Sequence, residues 1–535
     1  MDNKRLQTLF CVLLTILNSS FGDVIVNTMF GDVRGTRTDK ALQFLGIPYA
    51  KPPTGDLRWR SPESPAQWSP DIYNATTRPP GCPQKYCTKY LPDSGCPTET
   101  SEDCLYLNVW TPLEGTNTMK YPVMVFFHGG AFKWGYPSAE VYDGNNIVSH
   151  GEVVLVTVAY RIGLLGFLYT GDREDDCHGN YGIQDQRLAL NWVRENIQNF
   201  GGDPGKVMAF GESAGAQSVF IHMLSPKSYG LFQSAAVQSA PFGIPYRTKL
   251  QALGVANAIY LLLGCFIGDV KCLRSKSVEE IDEAQEKSML TLTSFKVINY
   301  FEPIGPIIDE DENPLQPMEA LRKNKVRNIP TILGTLKDEG RMFIHGILNT
   351  SMPPLLYEAA LGVFKPSHFF QINREYPLQE GVNDLRDTLG QLATDYLFTC
   401  SNRNVSRLRA KDNMETYRFV FEHAAEYPSA SADHSFCEGH VCHAAELPYL
   451  FGNFIGRNVT EDEIRLSREM MTYWTNFAHT SNPNYGMRVP DIRWPTYEYQ
   501  TSKKATMHFI TPRDELIESY RDDFCDFWDT VEYEK

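Results

Sequence analysis

Gly211-Glu212-Ser213-Ala214-Gly215 sets a serine among small residues, directly after the apolar run Val207-Met208-Ala209-Phe210 and before the apolar stretch 216–224. A serine hydroxyl is a weak nucleophile until an adjacent base takes its proton; it then attacks acyl carbon. The run before it suits a buried strand and the stretch after it a helix, so the serine falls on a sharp strand-to-helix turn. Such a turn strains the backbone of its central residue and admits only tiny neighbours two positions away. It also brings the hydroxyl close to helix N-terminal amides, which favour negative charge.

A second motif, His128-Gly129-Gly130-Ala131-Phe132, follows the apolar run 123–127. Ester cleavage builds negative charge on the former carbonyl oxygen, and fixed donors in a dry site stabilise it; losing one such donor typically costs ~2.7–4 kcal/mol. The expected donors are the backbone amides of Gly130 and Ala131, joined by that of Ala214 beside the serine, which together make an oxyanion hole.

Both motifs need a rigid frame. Residues 123–127, 153–158 and 207–210 are continuous apolar runs, as in strands buried on both faces of a parallel sheet. Within 186–200, Leu188, Trp192, Val193 and Ile197 recur at helical spacing, which completes a strand–helix–strand unit. Further strands are expected at 332–334 and 417–421, and a long helix at 461–479. No internal period and no Gly/Ser-rich or Pro-rich linker divides the chain. The expectation is one α/β domain over 23–535, a large and mostly parallel sheet flanked by helices, with insertions.

The 535 residues are 42% hydrophobic and 21% charged, which excludes a disordered or fibrous chain. A net charge of −15 argues against a phosphate-binding surface, so no nucleic-acid partner is expected. Lys4 and Arg5 precede the apolar segment 9–17, and Ser20 and Gly22 follow it. That pattern reads as a secretory signal peptide over 1–22, too short in its apolar part to span a bilayer. No later run reaches spanning length and the C-terminal residues carry no apolar tail, so a secreted protein without a membrane anchor is expected. Twelve cysteines then acquire meaning, because disulfides persist outside the cytosol. Cys11 falls in the leader, which leaves an odd number. Sequons at Asn74, Asn349, Asn404 and Asn458 fit the same route.

These residues resemble the type-B carboxylesterase and cholinesterase family of α/β-hydrolases, over about residues 26–528. One signature is Glu102-Asp103-Cys104-Leu105-Tyr106-Leu107-Asn108-Val109-Trp110-Thr111-Pro112. The other runs from Phe200 through Gly215, with Ala209 in place of a larger aliphatic, and Gly46-Ile47-Pro48-Tyr49-Ala50-Lys51-Pro52-Pro53 is also similar to the family. The resemblance implies an acid at Glu339, within Gly334-Thr335-Leu336-Lys337-Asp338-Glu339-Gly340, with Asp338 serving the turn. It implies His443 as base, since His443 lies three residues before Glu446 and nine before Gly452, whereas His440 fits neither spacing. The triad expected is therefore Ser213, Glu339 and His443. Glu212 resembles a family residue that shapes the field near the histidine, or else it only completes the turn.

The resemblance further implies disulfides Cys82–Cys104, Cys265–Cys272 and Cys400–Cys525. Cys87 and Cys96, both inside the first loop, are expected to pair with each other. Cys437 and Cys442 lie beside His440 and His443, a set that suggests zinc, but so tight a spacing in a secreted chain favours a disulfide; no metal or cofactor is expected. Cys177 is left as a free thiol or an intermolecular link. Cholinesterases hold quaternary ammonium on a tryptophan in the first loop, but residues 83–103 contain Tyr86 and Tyr90 and no tryptophan, which argues against choline specificity. Trp134 either binds substrate from the cavity wall or packs structurally, as does Tyr136. The expected activity is hydrolysis of small-molecule carboxylic esters, with turnover falling below about pH 6 as the base protonates. The rivals are cholinesterase or lipase-like specificity, and a non-catalytic adhesion protein like the neuroligins.

Overall fold

The structure is a computed structural model that describes residues 23–114, 120–292, 301–425, 432–455, 458–498, 505–531 and 533. The signal peptide expected at 1–22 lies outside them. A 13-stranded sheet organises the chain, with the short strand Ile72–Asn74 paired to Gly31–Arg37 off its main path. Its parallel core runs, in spatial order, Val154–Val158, Tyr121–Phe127, Gly202–Glu212, Ser234–Gln238, Thr331–Leu336, Thr416–Phe421 and Ala505–Phe509. Antiparallel strands extend both edges: Tyr106–Pro112, Ala41–Pro48, Gly31–Arg37 and Val24–Thr28 on one side, Glu515–Glu518 on the other.

The central strands are buried and mainly apolar because both faces of the sheet are covered. In Tyr121–Phe127, side chains alternate between faces: Val123, Val125 and Phe127 join one buried cluster, Met124 and Phe126 the other. In Gly202–Glu212, Val207 and Ala209 face the first cluster while Met208 and Phe210 face the second. Helices Tyr181–Asn196 and Ala214–Leu224 pack on the first face. Helix Glu461–Thr480 covers the second with Leu466, Met470, Trp474 and Phe477, and a Thr460/Glu463 capping box starts it.

The elements differ from the sequence reading mainly in their ends. The helix expected at 186–200 begins at Tyr181 and yields to a 3-10 turn at Ile197–Phe200. Tyr181 and Ile183 are buried like the later residues, and Asn180 ahead of them spends its side chain on Ile307 and Asp309 rather than on a helix cap. The strand expected at 207–210 starts at Gly202, where polar residues lie at the sheet rim. Among the described residues no helix is long and apolar enough to cross a membrane.

Candidate active site

Ser213 joins the strand Gly202–Glu212 to the helix Ala214–Leu224 with φ 56° and ψ −124°, a backbone conformation that L-residues rarely adopt. It persists because the turn is held on both sides: Ser213 N donates to Gln238 O at 2.9 Å, and Gln217 N donates to Ser213 O at 3.0 Å. A Cβ at Gly215 would collide with Phe127 O, so the closeness of two backbones dictates that glycine.

The expected donors lie across from it. Gly130 has φ 105°, and Ala131 and Phe132 are also left-handed at 52° and 57°. Gly130 O accepts from Lys133 N and Trp134 N, both at 2.9 Å, which closes a tight loop. The amides of Gly130 and Ala131 donate to no protein acceptor among the described residues. Ala214, as the first residue of its helix, has an amide with no acceptor in the preceding turn. His128 is no second base: it is buried against Tyr160, with ring centroids 4.5 Å apart, and burial pushes its pKa down to about 4.

Glu339 is fully buried at the start of helix Glu339–Ile347, just beyond the strand Thr331–Leu336. Its Oε1 accepts from Leu336 N at 2.8 Å, and its Oε2 lies 2.5 Å from His443 Nδ1. The carboxylate thereby assigns the Nδ1–H tautomer and leaves Nε2 as the basic nitrogen. Asp338, the neighbouring acid, ties down the loop before the base: its Oδ2 accepts from Val441 N at 2.9 Å, and its own N donates to Val441 O at 3.1 Å. Phe343 and Phe398 flank the imidazole, each with its centroid 5.0 Å away.

His443 and Glu339 thus meet, but no hydrogen bond joins Ser213 to the ring among the described residues. Nε2 instead faces Glu212 Oε1 at 3.0 Å. The approach is close yet poorly aligned for a hydrogen bond, so it acts as a charge contact. Burial opposes the imidazolium, but Glu212 and Glu339 together outweigh it and hold the His443 pKa well above the ordinary imidazole range. Glu212 thus contacts the imidazole as well as ending its strand.

A cavity of about 560 Å³ brings together Ser213, Glu212, His443, Gly130 and Ala131. Trp134 lines it and carries the Lys133 ammonium 4.1 Å from its ring centroid, whereas Tyr136 is buried outside the wall. Glu446 serves in the sequence only as a spacing mark, yet it is fully buried and accepts from Gln238 Nε2 at 2.9 Å. Burial and the nearby Glu212 and Glu339 push its pKa up, which keeps a third charge out of the site. The signal for it lay in a carboxylate next to an apolar run, Leu447-Pro448-Tyr449-Leu450-Phe451, where a charge is costly.

Five disulfides join Cys82–Cys104, Cys87–Cys96, Cys265–Cys272, Cys400–Cys525 and Cys437–Cys442. Cys437 and Cys442 are thus bonded to each other, and no cluster of three metal-ligating side chains exists among the described residues. Cys177 is a fully buried thiol, pushed up to about 12 by burial, and so is shielded from a second chain. Asn74, Asn349 and Asn458 are exposed. Asn404 is half-buried in a helix, and its Nδ2 donates to Asp529 at 3.1 Å, so the amide a glycan needs is engaged.

Known proteins resemble this chain over most of its length. The model of the Carboxylesterase family matches residues 22–528. The cAMP-regulated D2 protein of Dictyostelium discoideum is 37% identical over 506 residues, covering 92% of each chain. Neuroligin-2 of Mus musculus is 31% identical over 94% of this chain and 67% of its own. A solved thermophilic PNB esterase superposes with a TM-score of 0.81 at 30% identity, covering 94% of this chain and 99% of that one. The chain, with its mostly parallel sheet and its serine at the strand-to-helix turn, belongs to the carboxylesterase family.

Proposed function

We propose that this protein is a secreted serine hydrolase that cleaves carboxylic esters of small molecules through an acyl-enzyme. One observation carries the reading: Ser213, His443 and the Gly130 and Ala131 residues border a single cavity, with Glu339 2.5 Å behind the imidazole. In the reaction Ser213 Oγ attacks the ester carbonyl and gives its proton to His443 Nε2. Glu339 holds the ring and stabilises its cation. The amides of Gly130, Ala131 and Ala214 take the charge on the tetrahedral oxyanion. His443 then protonates the departing alcohol, and water releases the acyl group by the same route. No cofactor enters.

Trp134, Phe301, Phe343 and Leu447 give the cavity an apolar wall suited to uncharged acyl and alcohol groups. Trp134 already packs against the Nζ of Lys133, and the disulfide-bounded segment 83–103 supplies no tryptophan, so choline esters are disfavoured. Five disulfides support the secretory route, with 1–22 as leader and 23–535 as the working domain. The rival reading, a non-catalytic binding protein, draws on the likeness to neuroligin-2 and on Nε2 facing Glu212 rather than the serine. A fluorescent organophosphonate followed by peptide mapping separates them. Modification of Ser213 is expected; an unlabelled protein would leave the binding role.

A further inference from the structure

Asn349 is the one sequon asparagine among the residues lining the cavity, and it is exposed. It stands two residues beyond helix Glu339–Ile347, whose Met342, Phe343, Gly346 and Ile347 form part of the same wall. Lys89, Gly95 and His440 also border the cavity with partial or full exposure, so its wall reaches solvent at these residues as it does at Asn349.

The segment that carries Asn349 is fixed at both ends. Leu348 N donates to Ile344 O at 2.9 Å, and Leu348 O accepts from Arg386 Nη1 at 3.0 Å. On the other side Met352 N donates to Asp384 Oδ1 at 3.1 Å, and Met352 O accepts from Leu385 N at 2.8 Å. Anything attached to Asn349 is therefore anchored on the exposed part of the cavity wall, on a segment tethered at both ends. Asn74, by contrast, sits on the edge strand Ile72–Asn74 and takes no part in the cavity.

We propose that an N-linked glycan on Asn349 stands across the cavity mouth and selects against bulky esters. The proposal rests on the secretory route of the proposed function. In forming it, Asn349 Nδ2 loses a proton and bonds to C1 of a lipid-diphosphate-linked oligosaccharide, and the lipid diphosphate leaves. A glycan is bulky and hydrated, so an apolar substrate gains nothing by pushing through it. Small esters pass beside it, while long-chain or branched ones must wait for it to move, and the glycan acts on entry rather than on chemistry.

The test uses the full chain from a eukaryotic secretory host. Ser351→Ala abolishes the sequon while leaving Asn349 itself and every cavity-lining side chain unchanged. Enzymatic deglycosylation in heavy-oxygen water, with peptide mapping, reads occupancy of Asn349. Access is read without any catalysis by introducing Ser213→Cys and comparing N-methylmaleimide with a bulky polymer-bearing maleimide. Loss of the sequon should speed bulky labelling about fivefold relative to the small probe, and Asn74→Gln should change neither. An unoccupied Asn349, or a ratio unmoved by Ser351→Ala, overturns the gate. If the ratio shifts but organophosphonate never marks Ser213 in the unaltered protein, the gate stands and the hydrolase reading falls.

Discussion

His443 Nε2 stands 3.0 Å from Glu212 Oε1, the carboxylate of the residue that immediately precedes the candidate nucleophile. The atom that receives the serine proton in the proposed reaction is thus electrostatically engaged by a second acid, while Glu339 holds the opposite nitrogen. Two carboxylates about one imidazole make the site unusually favourable to positive charge, which suits the transition state. They also oppose the neutral form that the resting base requires.

That opposition has a sign. Carboxylates stabilise the cation and raise the imidazole pKa, and the base works only when neutral, so activity is lost as pH falls through that pKa. The acid limb of kcat/KM should therefore lie above the ordinary imidazole value of about 6.5, higher than the fall below about pH 6 expected from the sequence. Glu212→Gln removes one carboxylate and should move the limb to lower pH. A pH–rate profile of both proteins with an uncharged ester checks this, and an unmoved limb would show that Glu212 does not act on His443.

Ser213→Ala should lower turnover of a nitrophenyl ester by about 10⁴-fold or more. Thermal unfolding should change little, because the turn is held by backbone bonds at Ser213 N and O that alanine keeps. Wild-type rates in the variant would remove Ser213 from the chemistry.

Asp338 is predicted to position the base through the backbone of the loop before it. Asp338→Ala leaves Val441 N without its acceptor, at a cost of about 1–3 kcal/mol. Denaturant unfolding should register that loss, and kcat should fall more than KM rises as His443 loosens. Asp338→Asn keeps an acceptor oxygen and should restore most of kcat. Equal damage from both variants would contradict a positioning role.

Two glycine replacements should act in opposite directions. Gly215→Ala drives a methyl into Phe127 O, a backbone atom with nowhere to move, and should cost about 1–3 kcal/mol together with activity. In helix Lys249–Leu262 a Cβ on Gly254 meets nothing within 4 Å, so Gly254→Ala should add up to about 1 kcal/mol. Melting temperatures of the two variants decide the matter.

The serine turn and the glycine-rich loop were legible in the sequence because each is a local device. An apolar strand, tiny residues and a helix start mark the turn at Ser213 within a few residues, and the continuous apolar runs mark the parallel sheet beneath it. Element ends were less legible: Tyr181 opens its helix because its burial overrides the missing cap.

The sequence by itself determined which side chains were available and the order in which the fold meets them, because strand, turn and helix signals act between near neighbours. Only the tertiary structure decided that Trp134 faces the cavity while Tyr136 does not, that Asn349 stands at its edge while Asn404 is spent on Asp529, and that His443 Nε2 turns toward Glu212. These outcomes depend on side-chain directions set where segments far apart in the chain pack together, and no local pattern encodes them.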